Sequence, residues 1–376
     1  MKHDSCLITG GTGTFGSSYT IMAIKNKWHK KITIFSRDEY KQLKLSNLLK
    51  KHFANEDVVV EDFSLCINGC QIRFFIGDIR NKERVSLAFN GVDLVIHTAA
   101  LKHVPVCEYN IEEALSTNVD GTLNVIKSAH EQGVKNVISL STDKAVDPIN
   151  LYGASKMCLE KITMNHRIMT ASDTSYSVVR YGNVIGSRGS LIERLCKDGE
   201  NISITDGSMT RFWITIEKAI DLVRLSLDVG ITGSLMIPPM KALTIDQTFK
   251  FLKPELKAKQ VGKRPGEKKH EKILSEDENN LAYFNKDFTI VFPNTSYGAG
   301  GEGVSIKEFS NKKENAINKD FNFDYAYNEY IKDHQTICNK FNLKPAKAKK
   351  YSSDEAELFS LEDFVDSVKS TIVNII

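Results

Sequence analysis

Short apolar runs alternate with longer mixed segments along the first half of the chain. Six runs have the length and composition of buried strands: Cys6–Ile8, Lys31–Phe35, Gln71–Ile76, Val92–Ile96, Asn136–Leu140 and Val178–Tyr181. Helical patterns lie between them, as at Ser17–Asn26, Glu112–Gln132 and Tyr152–Met169. Apolar runs of this length separated by helices are typical of βαβ units. The pattern predicts an α/β fold with a doubly wound parallel sheet.

The pattern is less regular after about residue 185. We expect residues 1–185 to form one domain and 186–295 to form a smaller C-terminal α/β lobe, with some chain exchange between the two. Residues 296–376 read as a loop-rich extension that ends in a helix at Leu358–Val373. The basic run Lys344–Lys350 is interpreted as a solvated linker.

Composition and charge exclude several classes of protein. The 376 residues include 50 Lys and Arg against 47 Asp and Glu, a net charge of +3, which argues against a nucleic-acid partner. No apolar run is long enough to cross a membrane, and the N-terminus does not resemble a signal peptide. The seven cysteines are scattered and contain no CxxC pair, so no metal site is predicted. We expect a cytoplasmic protein.

A glycine-rich turn follows the first predicted strand and opens a helix. Its glycines are spaced as Gly10-x-x-Gly13-x-x-Gly16. Such a loop lets the backbone approach a pyrophosphate, and the helix N-terminus offers free N–H groups to it. The strand–loop–helix context predicts a Rossmann-like dinucleotide site.

The ends of the next strands refine this site. Arg37 is the first charged residue after the second strand, and a guanidinium suits the 2′-phosphate of NADP, which is favoured over NAD. Alternatively, Arg37 pairs on the surface with Asp38 or Glu39 and leaves the preference open. Asp78 follows the third strand and is placed to accept from the adenine amino group. The small Ala99 and Ala100 follow the fourth.

Two pairs of residues near the fifth strand carry candidate chemistry. Tyr152 and Lys156 are four apart and share a helix face, so an ammonium near the phenol would lower its pKa. Such a tyrosine takes a proton from a sugar hydroxyl while a hydride leaves the same carbon. Asp143 and Lys144 are adjacent and of opposite charge. They form either an acid–base pair for an elimination or a local ion pair.

Longer motifs make the chain similar to extended short-chain dehydrogenase/reductases, and more narrowly to the inverting UDP-N-acetylglucosamine 4,6-dehydratases of pseudaminic acid synthesis. The matching motifs include TGGTGTFG at 9–16, TAALKHVPVCEYN at 98–110, STDKAVDPINLYGASK at 141–156, RYGNVIGSRGS at 180–190, TDGSMTRFWIT at 205–215 and GKRPGEKKHE at 262–271. Residues 56–70 are longer than usual in that family, and Ile111 replaces a usual proline.

The resemblance implies a lyase that converts UDP-GlcNAc into a 4-keto-6-deoxy sugar with inversion at C5. Tyr152, with Lys156 beside it and Thr142 near the C4 hydroxyl, would act in C4 oxidation. Lys144 would remove the C5 proton, and Asp143 would protonate the leaving C6 hydroxyl. The hydride then returns to C6, so a tightly bound NADP is regenerated in each cycle.

Together with the motifs above, the resemblance implies an NADP-binding Rossmann domain at residues 1–185 that carries the catalytic residues and a UDP-sugar-binding lobe at 186–295. It also implies a homo-oligomer. The expected substrate contacts, to a UDP-N-acetylhexosamine, are Lys102, His103, Asn183, Arg188, Arg211, Arg264 and Glu267. The expected cofactor contacts are Gly10, Thr12, Gly13, Thr14, Phe15, Gly16, Ser36, Arg37, Asp78, Ile79, Ala99, Ala100, Lys102, Tyr152 and Lys156.

Two other functions share parts of this pattern. A UDP-sugar 4-epimerase would have the glycine loop, Tyr152 and Lys156, but it would not need Asp143 and Lys144. A non-catalytic NADP-sensing protein of the same fold would not need the Tyr/Lys pair or the UDP-site motifs. Retention of both motif groups favours the dehydratase.

Overall fold

The computed structural model describes residues 3–61, 64–170, 173–197, 203–254, 259–293, 335–346 and 352–373. Its strands are β1 Ser5–Thr9, β2 Lys31–Ser36, β3 Val58–Glu61, β4 Ser64–Ile67, β5 Cys70–Ile76, β6 Leu94–His97, β7 Asn136–Thr142, β8 Ser175–Tyr181, β9 Asn183–Val184, β10 Ser203–Ile204, β11 Thr210–Ile214, β12 Ser234–Ile237, β13 Lys241–Thr244, β14 Lys259–Gln260, β15 Ala282–Phe284, β16 Thr289–Val291 and β17 Lys344–Pro345. Its helices are α1 Thr14–Lys25, α2 Glu39–His52, α3 Lys82–Phe89, α4 Val104–Tyr109, α5 Ile111–Leu115, α6 Gly121–Glu131, α7 Leu151–Thr170, α8 Leu191–Lys197, α9 Ile216–Val229, α10 Ile245–Leu252, α11 Glu276–Asn280 and α12 Leu361–Val373.

The main sheet has the order β17-β15-β16-β12-β8-β7-β6-β1-β2-β5-β4-β3. The strands from β12 to β5 run parallel. Chain order reverses between β1 and β6, and ligands of such sheets bind in the crevice at the carboxyl ends of the strands around that point. The predicted doubly wound parallel sheet is confirmed, and the six predicted strands lie in it.

The centre of the sheet is covered on both faces. Every residue of β1 is buried. Leu7 packs into one hydrophobic cluster and Ile8 into another, because successive side chains of a strand point to opposite faces. This two-sided burial explains why the strands read as continuous apolar runs rather than as alternating ones.

The helix predicted over Glu112–Gln132 is interrupted. It consists of α5, a π-helical turn at Ser116–Asp120, and α6. Asn118 lies in that turn, fully buried. Its amide accepts from the Leu101 N–H at 2.8 Å and donates to the Leu101 carbonyl and to Ser155 Oγ. The turn therefore ties the loop after β6 to α7, a use often made of π turns near functional sites.

Antiparallel strands extend both edges of the sheet. The longer segment at residues 56–70 contains the hairpin of β3 and β4. At the other edge Lys344–Pro345, expected within a linker, is instead strand β17 and pairs with β15. A proline is tolerated there because an edge strand needs no donor on its outer side. Residues 294–334 and 347–350 of the expected loops lie outside the described residues.

A second, three-stranded sheet of β9, β11 and β13 packs near the C-terminal helix. The rings of Trp213 and Phe364 meet edge to face with centroids 5.9 Å apart, so α12 closes over β11. Strands β12, β15 and β16 come from beyond residue 185 yet join the main sheet. The boundaries at residues 185 and 295 stay a prediction. Within the described ranges, no helix is both long and apolar enough to span a bilayer.

Candidate active site

The glycine loop lies between β1 and α1 at the switch point of the sheet. Gly10 has a φ of +64°, and a Cβ there would come within 2.9 Å of the Ala99 Cα, so a side chain would be both strained and crowded. Gly13 caps α1 without a side-chain hydrogen bond to the first turn. The loop thus has the tight turn, close backbone approach and uncapped N-terminus that fit a dinucleotide pyrophosphate.

The neighbouring loop residues play different structural parts. Phe15 and Gly16 are buried on the inner side of α1, and Thr12 is buried in the loop. Thr14 Oγ1 accepts from the backbone N–H of Arg188 at 3.1 Å. This contact brings the segment after β9 against the glycine loop.

Arg37 and Asp78 meet beyond the ends of β2 and β5. Arg37 Nη1 lies 3.5 Å from Asp78 Oδ2, whereas Arg80 Nη2 approaches the same oxygen at 2.7 Å. Partial burial disfavours the Asp78 carboxylate, but the hydrogen bonds and charge of Arg80, with a smaller contribution from Arg37, hold its pKa below the usual range. Asp38, considered above as a surface partner of Arg37, instead caps α2 and pairs with Lys41.

The remaining cofactor candidates surround this edge. Ser36 is buried at the end of β2, and Ile79 is buried under α6. Ala99 donates its N–H to Thr9 Oγ1 at 3.3 Å, so the loop after β6 lies directly beside β1. Ala100 follows it and is partly buried.

Lys102 and His103 are exposed in the same loop. The His103 ring packs on the backbone of Gly189, where an added Cβ would lie 2.5 Å from Cε1. The loops after β6 and β9 therefore meet over the glycine loop.

Tyr152 and Lys156 lie on α7, but the structure corrects their expected coupling. Burial raises the pKa of Tyr152 to about 12, and the cation that opposes this rise is Lys144, together with a hydrogen bond from Thr142. Lys156 donates from Nζ to the Leu140 carbonyl at 2.6 Å. Its own pKa is lowered to about 8 by burial, against the attraction of Glu160. The expected lowering of the tyrosine pKa by Lys156 is not found.

Asp143 and Lys144 form a short 3₁₀ turn at the end of β7. Asp143 is fully buried. Its Oδ1 accepts from Thr142 Oγ1 at 2.9 Å and from Lys144 Nζ at 3.0 Å, while its buried Oδ2 has no hydrogen-bond partner among the described residues. Buried polar atoms are normally paired, so this oxygen is available to a bound molecule.

A glycine on α7 sets the distance between the Asp143–Lys144 pair and the start of the helix that carries Tyr152. A Cβ at Gly153 would overlap the carbonyl oxygen of Lys144. The first turn of α7 therefore rests directly on the Asp143–Lys144 backbone, which brings Tyr152 beside that pair. Asn150 caps the helix by accepting from the Gly153 N–H at 2.7 Å.

Segments from beyond residue 180 complete the surroundings of Lys144. Asn183 Oδ1 lies 3.4 Å from Lys144 Nζ. Arg211 is buried on β11, donates to the Thr210 carbonyl at 2.7 Å, and lies close enough to oppose the charge of Lys144. Burial alone would lower the pKa of Lys144, but Asp143 and Glu271 outweigh burial and raise it.

Arg188, Arg264 and Glu267 lie in exposed or partly exposed turns. The Arg264 N–H donates to Glu267 Oε2 at 3.2 Å. The turn is held to the start of α7 because Asn150 Nδ2 donates to the Gly266 carbonyl at 2.8 Å. The structure thus brings this turn to the same edge as the catalytic strand.

Several residues of the site escaped the sequence analysis. Glu271 is buried against Lys144, at 3.4 Å from Oε1 to Nζ, although it lies within the quoted motif GKRPGEKKHE. Arg180 is buried between Glu160 and Glu278. The signal for both was the presence of charged residues inside apolar or motif segments. Across the described ranges, no group of three or more His, Cys, Asp or Glu residues is placed to hold a metal ion.

Comparisons with known proteins support the geometry. Residues 6–293 match the polysaccharide biosynthesis protein family. The inverting UDP-N-acetylglucosamine 4,6-dehydratase of Campylobacter jejuni subsp. jejuni serotype O:23/36 (strain 81-176) is 41% identical over 292 residues, 76% of this chain and 82% of the relative. A UDP-glucose 4-epimerase of Rickettsia bellii (strain RML369-C) is 40% identical over 72% of this chain and 78% of its own length.

Solved structures of other proteins share the fold of this chain. Pen from Bacillus thuringiensis has a TM-score of 0.76 and 31% identity, covering 99% of this chain and 98% of its own. The dTDP-glucose 4,6-dehydratase DesIV from Streptomyces venezuelae, solved with NAD and TYD, has a TM-score of 0.59 at 19% identity, covering 70% of this chain and 86% of its own, and so supports the fold. The chain belongs to the polysaccharide biosynthesis protein family.

Proposed function

We propose that this protein is a UDP-N-acetylglucosamine 4,6-dehydratase that inverts C5. The observation that carries the proposal is the Asp143–Lys144 pair, buried at the end of β7 with Tyr152 beside it. Among the protein groups, oxidation at C4 needs only the tyrosine. Removal of water across C5–C6 also needs a base that acts at C5 and an acid that acts at the C6 oxygen. The relative from Campylobacter jejuni bears the same activity in its name.

Tyr152 takes the proton of the C4 hydroxyl in the first step. Thr142 supports this role, because its proximity to the phenol lowers the pKa of Tyr152 against the effect of burial. A nicotinamide dinucleotide bound at the glycine loop supplies a hydride acceptor for C4 and a hydride donor for C6. Lys156, fixed on the Leu140 carbonyl, orients the ribose of that cofactor.

Asp143 and Lys144 perform the elimination. In the resting protein they are an ion pair, so the reactive form arises when one proton moves from Nζ to Oδ1 across their 3.0 Å contact. The neutral amine then takes the C5 proton, and the neutral acid gives its proton to the leaving C6 oxygen, which departs as water. Both groups then have the charged forms seen at rest. Hydride return to C6 is matched by a proton delivered to C5 from the opposite face, for which Lys144 is the proposed donor. Tyr152 then passes the proton that it took from the C4 hydroxyl to Lys144, so every group returns to its starting form and the protons balance.

NADP is the cofactor that we propose, rather than NAD. Arg37 is half exposed beyond β2, at the outer limit of hydrogen bonding to Asp78, and its guanidinium suits a 2′-phosphate. Asp78, oriented by Arg80, is the proposed acceptor for the adenine amino group.

The substrate lies across the switch point, with its sugar at Tyr152 and its diphosphate toward the second lobe. Exposed and half-exposed cations converge there and suit two phosphates. The proposed contacts are Lys102, His103, Asn183, Arg188, Arg211, Arg264 and Glu267. A cytoplasmic location and a homo-oligomeric state, expected from the sequence, stay predictions.

A 4-epimerase is the second candidate, because rickettsial relatives with that name are nearly as similar. An epimerase would use Tyr152 and the cofactor, but it would leave the Asp143–Lys144 pair without a task. The pair therefore favours the dehydratase.

Incubation of the protein with UDP-GlcNAc in D₂O, followed by NMR and mass spectrometry, tests the proposal. We expect loss of one water, deuterium at C5 and inverted C5 configuration, with faster turnover on NADP than on NAD. Lys144→Met should bind cofactor but give no elimination. Conversion to UDP-GalNAc alone, or unchanged UDP-GlcNAc, would reject the dehydratase.

A further inference from the structure

We propose that Glu271 is a positioning residue for Lys144, held in place by the C-terminal segment through Ser353. The inference rests on the proposed dehydratase, because it assigns a part in the elimination to a residue that the mechanism above does not use. It also gives the segment after residue 352 a task in the active site.

Glu271 has the burial and contacts of a functional carboxylate. Only 2% of Glu271 is exposed, as little as for residues of the hydrophobic core. Oε1 lies 3.4 Å from Lys144 Nζ, and Oε2 lies 3.9 Å from Lys268 Nζ. Oε2 accepts no hydrogen bond from the described residues, and an ionised group is costly to bury without strong partners.

The backbone of Glu271 is fixed on both sides by one serine. Its N–H donates to Ser353 Oγ at 2.9 Å, and its carbonyl accepts from the Ser353 N–H at 2.8 Å. Ser353 is fully buried and also bonds Thr210 Oγ1 at 2.6 Å. An antiparallel bridge between Lys272 and Ser352 continues the contact. The C-terminal segment therefore sets where the carboxylate of Glu271 lies.

The elimination explains why Lys144 needs a second carboxylate. Once the proton has moved from Lys144 to Asp143, both groups are neutral and no ion pair between them fixes the amine. Glu271, on a separate segment of the chain, still presents a carboxylate oxygen 3.4 Å from Nζ that can accept a hydrogen bond from the amine. It keeps the amine facing C5 and stabilises the ammonium that forms as the C5 proton arrives.

The charges around Lys144 support this part. Asp143 and Glu271 raise its pKa against burial, and Arg211 lowers it. Lys144 also acts on Tyr152 and on Lys268, which face it from α7 and from the segment before Glu271. Removal of Glu271 takes away one of two anions, so the pKa of Lys144 should fall.

The test compares Glu271→Gln with Glu271→Asp and with Glu276→Gln, which removes an exposed glutamate of the same segment. We expect Glu271→Gln to lower kcat by roughly 10- to 100-fold with KM changed less than about threefold. Single-turnover C4 oxidation should persist while C5 exchange slows. The Lys144 limb of the pH–rate profile should move to lower pH, and Glu271→Asp should recover part of the rate.

Ser353→Ala should shift the same limb in the same direction with a smaller loss of rate, whereas Ser370→Ala, an exposed serine of α12, should not. Wild-type rate and pH profile in Glu271→Gln, matching Glu276→Gln, would overturn the inference. Failure of the wild-type protein to dehydrate UDP-GlcNAc would instead reject the proposed function, so the two failures are distinguishable.

Discussion

Two buried clusters, each made of one cation and two carboxylates, lie at the ends of the neighbouring strands β7 and β8. Their hydrogen bonding differs. Each places one cation between two carboxylates. Arg180 on β8 donates to both oxygens of Glu160 and both oxygens of Glu278, at 2.7 to 2.9 Å. Lys144 after β7 reaches one oxygen of Asp143 and one of Glu271, at 3.0 and 3.4 Å.

The difference lies in what remains unpaired. Both carboxylates of the Arg180 cluster are paired through both oxygens, as a planar guanidinium allows. In the Lys144 cluster, Asp143 Oδ2 and Glu271 Oε2 are buried without hydrogen-bond partners among the described residues. A saturated cluster holds elements together, whereas an unsaturated one keeps capacity for protons and substrate. Both clusters anchor the segment from Glu271 to Glu278.

The largest expected effect is a loss of dehydration rate when the cation of the Lys144 cluster is replaced by the guanidinium found in the Arg180 cluster. Lys144→Arg keeps the charge between Asp143 and Glu271, but a guanidinium does not give up a proton near neutral pH. We expect the dehydration rate to fall by about 10²- to 10⁴-fold. Urea unfolding should show a free energy close to that of the wild type. A variant with more than a tenth of the wild-type rate would contradict the assignment of Lys144 as base.

Breaking the Arg180 cluster is expected to lower the stability of the fold. Arg180→Met leaves two buried carboxylates facing each other, which should lower the free energy of unfolding by about 3–5 kcal/mol. Lys82→Met, which breaks the exposed pair with Glu131, serves as the control and should cost less than about 1 kcal/mol. Equal losses in the two variants would remove the distinction between the buried and the exposed pair.

The smallest effect concerns pH. Burial raises the pKa of Glu278, but the hydrogen bonds and charge of Arg180 outweigh it and hold the pKa below its usual value near 4.5. Its contribution to stability is therefore complete above that value and lost as the pH falls through the lowered pKa. Denaturant titrations between about pH 6 and pH 3 should show a shallower decline in Glu278→Gln, by roughly 1 kcal/mol. An unchanged slope would contradict this role.

Contiguous features were predictable from the sequence. The glycine loop and the Asp143–Lys144 and Tyr152–Lys156 pairs each lie within one short stretch, so their spacing alone brings them together. The two carboxylate partners found here were not predictable. Glu278 reaches Arg180 across 98 positions. Glu271 contacts Lys144 from a distant segment, whose backbone is in turn hydrogen-bonded to Ser353.

The pKa of Tyr152 is raised rather than lowered, and this departure from the expectation has a related reason. Helical spacing places the two side chains on one face, but it does not say where a long side chain ends. Lys156 Nζ satisfies the Leu140 carbonyl, and Lys144 provides the charge that Tyr152 senses. Likewise, the π turn at Asn118 could not be read from an otherwise regular helical pattern, because its cause is a bond to a distant loop.

The two hydrogen bonds between Glu271 and Ser353 also bear on the order in which parts of the chain fold during synthesis. A ribosome releases the chain from its N-terminus, so the glycine loop and β7 emerge long before residue 353. The strands around the glycine loop are therefore available to form the parallel sheet early in translation. Glu271 receives its backbone partner only near the end of translation. In the proposed mechanism, the residues of the elimination are therefore completed last. A chain cut short before Ser353 would contain the glycine loop and Tyr152, but the Glu271 beside Lys144 would lack its backbone partner.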